Sequence, residues 1–230
     1  MAKGKTSTGD GQADAAGDST RERIIAAALR ILARDGYGKL SARAIAAEAG
    51  TNLALVNYHF GSKQNLLLSL FDALESGKYG RQRALHTDPQ RPVSEKWREA
   101  VAYYREDLAD GFVRTVMELF AVSWSNPAAA ERLMQTHNRW RVLLSEAASG
   151  LHDLGIDLPP ALVANAVGAF WIGLEALYLA GDTEADGHQF AILDAIGDWL
   201  ETRERAVASE AARSVEQAAE NAEQRDTPMG

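Results

Sequence analysis

Apolar side chains along the chain recur at helical spacing from Ser19 onward. Ile25, Ala28, Leu29 and Leu32 form an i, i+3, i+4, i+7 stripe, which predicts a helix over about 20–35. Ser19 followed by Glu22 reads as a capping box at its start, and Gly36 as its stop. A short helix over 42–48 follows, capped by Ser41, then one over 53–59 after the turn Ala49-Gly50-Thr51, capped by Asn52. A fourth helix starts after Ser62 and reaches residue 78 or beyond. Further helices are expected at about 93–110, 112–124, 127–152, 160–180 and 187–206. Pro89, Pro92, Pro127, Pro159 and Pro160 all fall between these periodic segments. No sustained period-two alternation is present, so the expected fold class is all-α.

The pattern also sets domain boundaries. Residues 1–18 are rich in Gly, Ala, Asp, Ser and Thr without apolar periodicity, and are expected to be a disordered tail. Residues 19–63 form a small helical head and 64–206 a larger helical body. Residues 207–230 form an Ala/Glu-rich tail with good helix propensity but almost no apolar face, expected to fray or stay disordered. Ala161–Gly181 imitates a membrane span in length, with only Asn165 and Glu175 strongly polar. The expected reading is a helix buried on most sides within a soluble assembly.

Composition narrows the chemistry. The chain has 230 residues, 46% hydrophobic and 24% charged, which suits a globular protein with a real core. It contains no cysteine, which excludes disulfides, thiolate metal sites and thiol nucleophiles, and permits a reducing compartment. The N-terminus lacks the apolar stretch of a secretory signal, so a cytoplasmic location is expected. The five histidines, His59, His86, His137, His152 and His188, show no metal-ligand spacing. No Gly-rich phosphate loop or nucleophile elbow occurs, so neither an enzyme nor a cofactor or metal site is expected.

The net charge of −8 argues at first against nucleic acid. It is unevenly spread. Residues 21–63 hold 7 basic and 3 acidic side chains, whereas residues 64–230 hold 15 basic and 26 acidic ones. A basic head on an acidic body is the footprint of a DNA-binding head.

Within that head, Leu40–Phe60 reads as a helix-turn-helix, with Gly50 supplying a positive φ in the turn. Ile45, Ala46, Ala49, Val56 and Phe60 are placed to pack on the first helix. The outer face offers Asn52, Ala54, Leu55, Asn57, Tyr58 and His59. A helix in the major groove needs polar groups for base edges and small or apolar ones for thymine methyls. Asn57 can pair with adenine in bidentate fashion, Ala54 permits close approach, and Leu55 and Leu53 can meet a methyl. Ser41, Arg43, Tyr58, His59 and Lys63 suit phosphate contacts. Spacing alone leaves ordinary helix packing and DNA recognition equally open.

The run from Thr20 to Leu70 resembles the DNA-binding domain of TetR-family transcriptional regulators. The resemblance rests on Ala28 through Gly36-Tyr37, the Ser41–Ile45–Ala46 helix, Ala49-Gly50, Tyr58-His59-Phe60, Ser62-Lys63 and Leu66. It implies an all-α homodimer with three DNA-binding helices and a fourth linking them to the body. It further implies a dimer interface made by the helices at about 160–180 and 187–206. It also implies repression at a palindromic double-stranded DNA operator, relieved when a small molecule enters the body. By position, the DNA contacts it implies fall on Ser41, Arg43, Leu53, Ala54, Asn57, Tyr58, His59 and Lys63. Leu53 and Asn57 depart from what many members carry there, so no base preference follows.

In the body, aromatic and Met residues cluster between about 97 and 178, and for most of them core packing is the plain reading. An effector pocket there would be apolar with few polar anchors. Its candidate residues are Tyr104, Met117, Phe120, Trp124, His137, Trp140, Trp171 and Glu175, with Asn138 as a further anchor. Glu175 in so apolar a helix must pair, protonate or bind something. The stripes Leu162, Ala166, Ala169, Phe170, Gly173, Leu177 and Phe190, Leu193, Ile196, Gly197, Leu200 are expected dimer faces. Two other classes compete with a ligand-released repressor: a ligand-independent architectural DNA-binding dimer, and a helical protein-interaction module.

Overall fold

A computed structural model describes residues 10–181 and 185–225, and among these residues there is no strand. The chain runs through α1 (Asp10–Asp35), α2 (Ala42–Glu48), α3 (Leu53–Phe60), α4 (Lys63–His86) and α5 (Val93–Ala109). It continues through α6 (Phe112–Ser123), α7 (Pro127–Ala148), α8 (Pro160–Leu179) and α9 (Ala185–Arg225). Short 3-10 turns occupy Tyr37–Lys39 and Ser149–Leu154. The expected all-α class is what the chain adopts.

Two ends differ from expectation. The first helix begins at Asp10, so Ser19 and Glu22 lie inside it and form no capping box at its start. The expected tail is therefore helical from Asp10, while residues 1–9 lie outside the described residues. Over residues 10–18 the segment has Ala at three positions and no proline, so the helix continues through it despite Gly11 and Gly17. At the other end α9 continues to Arg225, because the Ala/Glu-rich stretch propagates helix without an apolar face. Residues 226–230 lie outside the described residues.

The chain divides into two compact units that do not follow the expected boundary at residue 63. One comprises Met1–Gly80 and Glu106–His137, the other Arg81–Arg105 and Asn138–Gly230. In the first, Ile24, Ala28, Ile31 and Leu32 of α1 are buried with Ile45 of α2, Val56 and Phe60 of α3, Leu67 and Leu70 of α4 and Leu119 of α6. Burying each of the Ile, Leu, Val and Phe side chains contributes about 1.5–3 kcal/mol. Glu48 ties α2 to α1: one oxygen accepts from Arg30 Nε at 2.9 Å, and the other lies 3.3 Å from Arg34 Nη2. Glu118 on α6 accepts from the backbone N–H of Tyr37 at 2.9 Å. Gly111, which opens α6 at φ 79°, lies so close to α1 that a Cβ there would stand 2.8 Å from that of Ala33.

In the second unit α5 packs on α9. The Trp97 indole N–H donates to the Leu193 carbonyl at 2.7 Å, and Ser94 donates to Glu204 from its backbone N–H at 3.0 Å. This arrangement corrects one expectation. The stripe Phe190–Leu193–Ile196–Gly197–Leu200 does not face outward. Leu193 and Leu200 are buried, and Gly197 lies against Trp97 and Arg98. Among the described residues, the large apolar groups that α9 exposes are Ile192, Trp199 and, farther along, Val215. In helix α8 the only residue buried within the chain itself is Ala164. Leu162 and Leu177 are exposed. Its length and mean hydropathy of 1.6 would suffice to cross a membrane, by length and composition only.

Candidate nucleic-acid interface

The helix-turn-helix is fixed by local chemistry. Ser41 Oγ accepts from the Ala44 N–H at 3.2 Å and Asn52 Oδ1 accepts from the Leu55 N–H at 2.9 Å, so both side chains cap the helices they precede. Gly50 takes φ 60° in the turn between them, a conformation that would strain a residue with a Cβ. Gly61, at φ 66°, ends α3. Ser62 then accepts from the Asn65 N–H, opening α4 with Lys63 in its first turn.

These caps leave one face of α3 clear. Val56 and Phe60 are buried, whereas Leu53 and Leu55 are each 37% exposed and Tyr58 is 81% exposed. Ala54 and Asn57 are exposed as well, and His59 is half-buried. His59 meets Tyr58 edge to face, with ring centroids 5.3 Å apart. The exposed face thus presents a phenol, an amide and the apolar Leu53, Ala54 and Leu55 side by side. Arg43 is exposed on α2, and Lys63 is exposed with its Nζ 4.3 Å from the centre of the Tyr37 ring. A small cleft opens between α2, α3 and the start of α4. Ser41, Asn57, Ser62 and Lys63 supply its polar groups, and Ile45, Val56, Phe60 and Leu66 its apolar ones.

Charge follows the same division. Arg30 and Arg34 are neutralised by Glu48 and Asp35, and those carboxyls are held below their ordinary pKa by hydrogen bonds from the guanidinium groups. Arg21 donates to Ser69 Oγ at 3.1 Å and lies 5.5 Å from the Phe60 ring centre.

Residues 24–70 match the family described as bacterial regulatory proteins, tetR family. This helical head is a TetR-family domain. Solved structures agree over most of the chain. A TetR transcription regulator from Haloarcula marismortui is 20% identical, with 82% of this chain and 98% of that one covered at a TM-score of 0.66. A protein from Saccharomonospora viridis, solved in complex with choline, is 25% identical over 80% of this chain and 95% of that one, also at 0.66. The multidrug binding protein EbrR complexed with malachite green is 22% identical over 80% and 96%, at 0.58. No curated protein matches the chain. The TetR fold thus extends beyond the head, into a larger helical C-terminal part.

The ligand candidates are divided between the two units. Met117, Phe120, Trp124 and His137 lie in the first, and Tyr104, Trp140, Trp171 and Glu175 in the second. Trp124 is 79% exposed at the end of α6, edge-on to Phe120 at 6.2 Å. In the second unit Tyr104 is buried, 4.9 Å from the Trp171 ring and 5.9 Å from Phe190. Trp97 lies 5.9 Å from Trp171. Gln189 donates to the Tyr104 hydroxyl. Burial first, and then the nearby Glu175 carboxylate, push the Tyr104 phenol well above its ordinary pKa. Sequence reading missed Trp97, Phe190 and Gln189 as companions of Tyr104, since only the pairing of α5 with α9 brings them there.

Proposed function

We propose that this protein is a transcriptional repressor that lays α3 in the major groove of a palindromic operator and is released by a small apolar ligand. One observation carries the DNA-binding part: α3 buries only Val56 and Phe60 and holds Asn57, Tyr58, Leu53, Ala54 and Leu55 toward solvent. In this reading Asn57 reads an adenine, Leu53 and Leu55 meet thymine methyls, and Ala54 allows close approach. Arg43, Tyr58, His59 and Lys63 hold phosphates, and Ser41 and Asn52 add contacts from their capping positions.

A palindrome requires a two-fold axis, with half-sites about 34–36 Å apart or as the α3 separation dictates. The exposed stripe Leu162, Ala166, Ala169, Gly173 and Leu177 on α8 supports a partner copy there, joined by Ile192 and Trp199 of α9. The effector reading rests on Tyr104, Met117, Phe120, Trp124, His137, Trp140, Trp171 and Glu175, and is supported by relatives solved with choline and malachite green. A cytoplasmic location follows from a role on DNA.

Footprinting the purified protein on its own promoter region, alone and with a metabolite panel, tests the proposal. A protected two-fold symmetric site that one compound releases is the expected result. Protection of every sequence alike would favour an architectural DNA binder, and no protection at all a protein-interaction module.

A further inference from the structure

Lys63 does not stand alone on its surface. Its ammonium sits 4.3 Å from the centre of the Tyr37 ring, between α1 and α2 in sequence but against the start of α4 in space. The backbone of Tyr37 is itself held. Its N–H donates to Glu118 Oε2 at 2.9 Å. The preceding Gly36, at φ 78°, leaves room for that carboxylate: a Cβ there would meet Glu118 Oε1 at 2.6 Å. Farther along, Gly111 and Ala33 let α6 lie flush against α1. A continuous physical connection therefore runs from α6, through Glu118 and Tyr37, to the Lys63 ammonium.

We infer that Tyr37 is a positioning residue for the contact between Lys63 and a DNA phosphate, and that Glu118 sets where Tyr37 stands. The inference rests on the DNA-binding reading. A surface lysine has a flexible stem and loses rotamer freedom when it meets a phosphate. A ring beneath the ammonium takes part of that loss before DNA arrives and leaves the outward N–H groups to donate. Tyr37 is also half-buried against the head's core. A purely packing role would change stability and leave the charge contact alone, so the two roles have different readouts.

The test is fluorescence anisotropy of the full chain on a mixed-sequence duplex, since phosphate contacts do not depend on sequence, across a salt titration. The variants are Tyr37→Phe, Tyr37→Leu, Glu118→Ala and Lys63→Ala, together with Lys63→Ala combined with each of the other substitutions to Leu or Ala. Tyr37→Phe keeps the ring and should bind as wild type does. Tyr37→Leu should weaken binding roughly 2- to 5-fold. Both Tyr37→Leu and Glu118→Ala should flatten the salt slope toward that of Lys63→Ala, which loses about 0.9 per phosphate contact. Neither should cost anything more once Lys63 is already alanine. An unchanged slope with a lowered melting temperature, additive losses in the double variants, or tighter binding by Tyr37→Leu would overturn the inference. If Tyr37→Leu does not fold, the Glu118→Ala pair decides by the same slopes. A wild-type chain that binds no duplex even at low salt sinks the DNA reading itself, and this inference with it.

Discussion

The ammonium of Lys78 lies 2.6 Å from Asp107, a carboxylate that is almost fully buried. The same ammonium reaches Asp110 at 2.6 Å and stands 5.1 Å from the Phe112 ring centre. Burial alone would lower the Lys78 pKa, but hydrogen bonds with Asp107 and Asp110 outweigh it and raise the value. Lys78→Met removes the cation facing Asp107 and should destabilise the protein by about 1–3 kcal/mol. Adding Asp107→Leu should recover part of the loss, because the carboxylate that needed the cation is gone. Chemical denaturation of wild type, Lys78→Met and the double variant measures this; a double variant less stable than Lys78→Met would contradict it.

Base reading and phosphate holding separate experimentally. Asn57→Ala should cost roughly 1–3 kcal/mol at the operator and relax preference at one base pair. Lys63→Ala should weaken binding to every sequence and flatten the salt dependence. Titrations on operator and scrambled duplexes at several salt concentrations check both. Equal loss on all sequences for Asn57→Ala would speak against base readout.

Acid should destabilise the second unit through His86. Its Nδ1 is buried without a protein hydrogen-bond partner, and burial, aided by the charge of Lys96, lowers its pKa to about 4. The folded state thus favours the neutral ring more than the unfolded chain does. The stabilisation is complete above the ordinary histidine value of 6.5 and is lost as pH falls toward 4. The loss should reach at most about 3 kcal/mol. Unfolding measured between those pH values, with His86→Leu as the comparison, should show a slope that the variant reduces.

Helix α8 offers a test of assembly. Leu162→Glu or Leu177→Glu places a charge at one or the other end of the exposed apolar stripe. With the proposed partner copy seated on α8, each variant should shift the wild-type dimer toward monomer in light scattering while leaving helix content unchanged. A dimer that persists in both variants would place the two-fold interface elsewhere.

The parts of the fold legible in the sequence were those fixed by neighbours along the chain. Ser41, Gly50 and Asn52 set α2, the turn and α3 within a few residues of themselves, and the structure has them where their chemistry puts them. The start of α1 was not legible. Ser19 and Glu22 satisfy the pattern of a cap, yet the alanines before them extend the helix. The facing of α9 depended on a distant partner: its regular stripe is occupied by Trp97 and Arg98 of α5, which no periodicity in α9 reports. The exposed face of α3 was legible because it follows from local geometry. The support of Lys63 by Tyr37 was not, because it joins two elements across α2 and α3.

The grip of Glu48 on Arg30 and Arg34 also limits how the protein can respond to its ionic surroundings. With those two arginines held by Glu48, the head's remaining cations are Arg21, Arg23, Lys39, Arg43 and Lys63, and the charge of Lys39 already helps to hold Asp35 ionised. They cap the number of counterions that one head can displace from a duplex at about five. Two heads on the proposed palindrome would then have a thermodynamic valence no greater than about nine. The acid that stitches α1 to α2 thus sets a ceiling on how sharply potassium or sodium can switch the protein off its DNA.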